Sequence, residues 1–109
     1  EINRERRIKM IIVSGEIKIT PTAREATLAA AREMALATQA EDGCISYMFY
    51  ASVADENIIR VFEEWQSDEA LQRHFETPHM AKFMAKLPEL VAGPADVKRY
   101  EVNNVTSLS

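Results

Sequence analysis

Along residues 10–19, Ile11, Val13, Ile17 and Ile19 alternate with Ser14, Glu16 and Lys18. A period of two in β-branched residues predicts a strand with one apolar face. Gly15 interrupts it and marks a bulge or a close backbone approach. At Thr20-Pro21 the pattern changes: Thr20 can cap a helix and Pro21 suits its first position, with Thr22 and Glu25 as an alternative capping box. The Ala-rich run to Ala40, with Leu28, Met34 and Leu36, has helical composition, and its small side chains permit close packing. Gly43 stops it. Cys44 to Val53 alternates again, with Ile45, Tyr47, Phe49, Ala51 and Val53 on one face. Turn residues Ala54 to Asn57 lead into a third strand, Ile58 to Trp65, so the two strands form an antiparallel hairpin. A turn centred near Glu56 places Tyr47 opposite Trp65 and Phe49 opposite Glu63. A slip of one residue would invert the faces.

Ser67 caps the next helix, with Asp68 and Glu69 at the positive end of its dipole and Ala70, Leu71, His74 and Phe75 on its inner side. Thr77-Pro78 restarts the helix, and Met80, Phe83, Met84 and Leu87 follow as one stripe. After Gly93-Pro94, residues 97–102 form a last strand, with Val97, Arg99 and Glu101 on one face and Lys98, Tyr100 and Val102 on the other. The order βαββαβ is an α+β, ferredoxin-like pattern: a four-stranded antiparallel sheet with helices on one face. Met10, Ile12, Met48, Tyr50 and Phe62 leave the opposite face apolar, which implies a second copy covering it, a homodimer.

The chain has 109 residues, enough for a single domain. It divides into a charged N-terminal stretch (1–9), a domain (10–102) and a polar tail (103–109) expected to fray. Residues 1–9 lack the apolar run of a secretory signal, and Met10 is either the true start or the end of a genuine extension. A net charge of -4 argues against nucleic acid as partner, and no apolar run is long enough to span a membrane. One Cys rules out an internal disulfide or a Cys-built metal site and suits the cytoplasm. Two histidines five apart fall on different sides of a continuous helix, which argues against a metal.

Four stretches carry a resemblance: Glu41-Asp42-Gly43-Cys44-Ile45-Ser46-Tyr47, Phe62-Glu63-Glu64-Trp65-Gln66-Ser67, Thr77-Pro78-His79-Met80, and Leu87 through Pro94. In this order they resemble the antibiotic biosynthesis monooxygenase family, including its quinol monooxygenase-like members, over Met10 to Val102. The resemblance implies a dimeric α+β barrel. It also implies oxidation of a quinol, polyphenol or polyketide-type aromatic by molecular oxygen without metal, flavin or other cofactor. A haem-degrading branch shares the fold, but this chain has Ser14-Gly15 where that branch has a first-strand Asn, and Phe83 or Met84 where it has an axial His.

Candidate roles follow from the expected faces. Tyr47, Phe49, Trp65 and Phe83 would line an aromatic cleft beneath the helices, suited to a flat substrate. His79 would accept a phenolic proton or hydrogen-bond the anion. Tyr47 and the Trp65 indole would donate to a substrate oxygen, and Glu63 would orient His79 or, if buried, act as a base. Each has a plainer reading: Trp65 and Tyr47 as core, Glu63 as a solvated charge, His79 as a helix-end residue, His74 as half-exposed, and Cys44 as a small packed residue. Two other functions compete. One is a phospho-sugar isomerase, which would need cations such as Arg60 or Lys82 in the pocket. The other is a ligand-binding dimer without turnover.

Overall fold

The computed structural model describes residues 9–109; the expected charged extension lies, for its first eight residues, outside them. The strands are β1 (Met10–Lys18), β2 (Cys44–Ala51), β3 (Ile58–Trp65) and β4 (Asp96–Val102), and the helices are α1 (Arg24–Gln39), α2 (Asp68–Phe75) and α3 (Pro78–Leu90). They form an antiparallel sheet in the order β2-β3-β1-β4, the ferredoxin-like arrangement.

Alternation sorts the two faces of the sheet. Ile11, Val13 and Ile17 of β1, Tyr47 of β2, and Ile59, Val61 and Trp65 of β3 are buried against the helices. The β1 ladder runs unbroken through Gly15, so there is no bulge there. A Cβ at Gly15 would lie 2.7 Å from a Val97 methyl, so the glycine marks a close approach of β4. The irregularity falls instead between Cys44 and Ser46.

The hairpin register differs from expectation by two residues. Tyr47 faces Glu63 and Phe49 faces Val61. The turn centres on Asp55, whose carboxylate accepts the Asn57 N–H at 2.9 Å and whose carbonyl accepts the Ile58 N–H. Moving the centre by one residue moves the register by two, which keeps every side chain on its expected face. Strand β2 ends at Ala51, so Val53, expected within it, stands exposed in the loop.

Helix α1 starts later than its cap signals suggest. Residues Pro21–Ala23 form a 3₁₀ turn, and Thr20 does not cap. Its N–H and hydroxyl bind the carbonyls of Leu90 and Val91, tying the end of β1 to the end of α3. Ala30, Ala31, Met34 and Ala35 are buried, the small residues letting α1 approach the sheet. The Ser67 hydroxyl caps α2 by accepting the Ala70 N–H. Ala70, Leu71 and His74 face inward, but Phe75 is exposed: at this position a fourth inward residue exceeds the width of the buried stripe. Met84 is likewise exposed although Met80 and Phe83 of the same stripe pack on the core, because α3 meets the body of the protein along one narrow line. Residues 103–109 carry no strand or helix.

Candidate functional site

The loop after α1 is held tightly. Gly43 has φ +84°, a conformation that disfavours a side chain, and a Cβ there would lie 2.5 Å from that of Ala70. The Glu41 N–H donates to the Thr38 carbonyl and the Glu41 carbonyl accepts the Cys44 N–H. This turns the Glu41 side chain, only 13% exposed, towards α2 and α3.

Between these helices, Thr77 makes the corner. Its hydroxyl donates to the His74 carbonyl at 2.8 Å and accepts the Met80 N–H at 3.2 Å, capping α3 while closing α2. Pro78 takes the first turn of α3. Because the chain bends here, the helical-wheel separation of His74 and His79 no longer applies. His74 Nδ1 lies 2.8 Å and His79 Nε2 2.5 Å from the same Glu41 oxygen, Oε2. His74, expected to be half-exposed, is buried, packed 4.9 Å from the Trp65 ring and 5.6 Å from that of Tyr47. Burial holds its imidazole below the ordinary value against the opposing pull of Glu41. A neutral His74 therefore donates Nδ1–H to the Glu41 carboxylate. His79 Nε2–H donates to the same oxygen, so in the neutral ring the lone pair is on Nδ1.

Around this cluster the expected aromatic residues do gather. Tyr47 and Phe49 meet edge to face at 5.6 Å, and Phe49 contacts Phe83 at 5.7 Å. Other expected contacts are replaced. The carboxylate that orients His79 is Glu41, not Glu63. Glu63 is buried and accepts the Trp65 indole N–H at 2.9 Å. Trp65 has no exposed surface and its only donor is engaged, so the plain reading of it as core matches its placement.

Burial pushes the Glu63 carboxyl up to about 7, with nearby Glu41 adding to the rise and the Trp65 hydrogen bond opposing it. It is a buried carboxyl and not a solvated strand-end charge. Burial, reinforced by Glu63, Glu41 and Cys44, keeps the Tyr47 phenol protonated far above its ordinary range. The Cys44 thiol is pushed up to about 11 by burial and by Glu41 and Glu63, so it is not an activated nucleophile.

Beside His79, a hollow bounded by Ala30, Glu33, Met34, Lys82, Phe83 and Lys86 measures about 10 Å³, room for one water molecule. A larger groove, about 220 Å³, opens between α1 and β2, lined by Leu28, Ala31, Ala35, Leu36, Met48 and Phe49. Phe49 thus touches the groove on one side and Phe83 on the other. The cations considered for a phosphate do not converge. Arg60 is on the other face of the sheet, bound to Ser14 and Glu16, whereas Lys82 lines the small hollow beside His79, paired there with Glu33.

A ferredoxin-like sheet with a histidine–carboxylate cluster under its helices defines a small α+β protein with a polar site set among aromatic rings. Comparison with known proteins narrows this. Residues 10–86 match the family model described as "Antibiotic biosynthesis monooxygenase". The chain is 37% identical over 98 residues to "Uncharacterized protein sll1783" of Synechocystis, covering 90% of this chain and 67% of that one. It is 35% identical over 94 residues to "Putative monooxygenase YcnE" of Bacillus subtilis, covering 86% and 99%. The solved structure of Rv0793 from Mycobacterium tuberculosis superposes with a TM-score of 0.81 at 31% identity, covering 92% of this chain and 99% of that one. The chain belongs to the antibiotic biosynthesis monooxygenase family.

Sequence reasoning missed Glu41 and the burial of His74. Glu41 opens the first stretch that carries the family resemblance, but an acidic residue at a helix exit ordinarily reads as solvated. The available signal was the tight Gly43 turn beside it, which constrains where Glu41 can point.

Proposed function

We propose that the protein is a monooxygenase acting on a phenolic aromatic, a quinol or polyphenol, with molecular oxygen and no resident cofactor. Family membership supports the reaction class, and "Putative monooxygenase YcnE" bears that description over the same fold length. The observation that carries the reading is the contact of His79 Nε2 with Glu41 at 2.5 Å, which in the neutral ring leaves the lone pair on Nδ1, with Phe83 bounding the same hollow as His79. His79 takes the phenolic proton at Nδ1, and Glu41 stabilises the imidazolium so formed. Tyr47, kept protonated, is suited to donate to the substrate oxygen anion. The phenolate is electron-rich enough to reduce oxygen directly. One oxygen atom enters the ring and the other leaves as water, the substrate supplying four electrons as it becomes a quinone. Trp65 and Glu63 support the site from beneath.

A ring enters by displacing Phe83 and Phe49 from the contact they make with each other, extending the α1–β2 groove towards His79. The small volume at His79 favours a second reading, ligand binding without turnover. Oxygen uptake with a panel of hydroquinones and dihydroxynaphthalenes separates the two. Uptake with a quinone product that is lost in His79→Ala supports catalysis. Binding without uptake across the panel supports the second reading.

We infer also that a second copy covers the outer sheet face. Met48, Tyr50 and Tyr100 are exposed there beside the half-buried Ile12, Phe62 and Val102, an apolar surface that costs about 25 cal/mol per Å² to leave in water.

A further inference from the structure

We propose that Glu41, His74 and His79 form a site for one divalent transition-metal ion, and that the ion switches off His79 as a proton acceptor. The function proposed above does not call for such an ion. One carboxylate oxygen and two imidazole nitrogens, from three separate segments, all lie within 4.8 Å of one another. The side chains are 13%, 1% and 22% exposed, so the ligands are shielded while His79 keeps a path to solvent. Three protein ligands leave a fourth position to solvent, as in open zinc sites. Two imidazoles and a carboxylate suit zinc and its first-row neighbours, not the oxygen-only preference of magnesium or calcium.

The movement needed is on the order of 1 Å per ligand. Tetrahedral ligands about 2.1 Å from a zinc ion stand about 3.4 Å apart. The present separations from Glu41 Oε2 are 2.8 and 2.5 Å and the two nitrogens lie within 4.8 Å of each other, so the carboxylate withdraws by less than about 1 Å and the imidazoles close on each other by up to about 1.4 Å as the ion enters. The helix corner at Thr77 and the turn at Gly43 already hold the three residues together.

The tautomers give the ion its effect. Without metal, His79 Nε2 carries hydrogen towards Glu41 and Nδ1 holds the lone pair. A metal on Nε2 needs that nitrogen's lone pair, so the proton moves to Nδ1. His74 makes the matching change, from Nδ1–H to Nε2–H, and neither ring changes its proton count. In the loaded protein His79 Nδ1 is a donor and cannot accept a proton from a phenol.

The test uses the whole chain, free of any affinity tag. These are the chain's only two histidines, so imidazole-dependent binding has no other source. Titration calorimetry with Zn²⁺ should show one ion per chain, and Co²⁺ should develop the visible absorption of a low-coordinate nitrogen–oxygen site. His79→Ala and Glu41→Gln, checked for native circular dichroism, should each weaken Zn²⁺ at least about a hundredfold, the upper end of what losing an outer-shell partner costs. His79 is partly exposed, so its variant reads out even if the Glu41 variant fails to fold. Absence of saturable binding, or binding that persists at full strength in folded His79→Ala, overturns the proposal. None of these readings uses activity, so the metal site and the oxygenase function fail separately.

Discussion

Replacing Glu63 by Gln isolates the cost of burying one carboxyl. Glu63 sits beneath the helices with its charged form disfavoured, and its carboxyl titrates at about 7. In the unfolded chain it titrates near 4.3. Below about pH 4.3 both states hold the proton and nothing is lost. Between the two values only the folded state holds it, so stability falls as pH rises, by about 1.36 kcal/mol per pH unit. Above about 7 both states are ionised and the loss is complete, in total about 3–4 kcal/mol. The amide that replaces the carboxyl keeps an oxygen to accept the Trp65 indole N–H and never ionises. Glu63→Gln should therefore match the native chain to within about 1 kcal/mol near pH 4.5 and exceed its stability by about 3–4 kcal/mol above about pH 8. Urea unfolding of both chains at the two pH values, followed by Trp65 fluorescence, measures the difference. A gap independent of pH, or a variant less stable in alkali, would refute the reasoning.

The remaining predictions concern the turn, the outer face and the base. Gly43→Ala forces a side chain into φ +84° and to within 2.5 Å of Ala70, and should destabilise the fold by about 2–4 kcal/mol in thermal or urea unfolding. Phe62→Glu puts a charge on the outer sheet face, and should convert a dimer to monomer in light scattering while circular dichroism stays unchanged. His79→Ala should shift stability by less than about 1.5 kcal/mol, since the residue is partly exposed, yet lower any quinol-dependent oxygen uptake by about 10²–10⁴-fold. Global unfolding of His79→Ala would instead assign it a structural role.

Most of the sheet was legible in the sequence because a period of two leaves few alternatives. Strand β3 has its expected limits, and Ile11, Val13 and Ile17 point inward as their alternation requires. The hairpin register was not legible to better than two residues: Ala54 to Asn57 are all turn formers, and the Asp55 hydrogen bonds select among the centres only once the chain is folded. The aromatic residues of the site follow from the same alternation. The polar cluster does not, because it depends on the angle between α2 and α3. Helical periodicity separates His74 from His79, and it ceases to apply once Thr77 bonds the His74 carbonyl and turns the chain. Likewise the small hollow at His79 is bounded by Met34 from α1 and Phe83 from α3, a pairing of two helices that periodicity along one helix cannot show.

Everything proposed for catalysis turns on which nitrogen of His79 bears hydrogen. Long-range proton–nitrogen correlation NMR of the metal-free chain near neutral pH resolves the two ring nitrogens of each histidine. Nε2 of His79 should resonate as protonated and Nδ1 as bare, with that preference lost in Glu41→Ala. A proton fixed on His79 Nδ1, or a tautomer mixture indifferent to Glu41, would remove the base from the site.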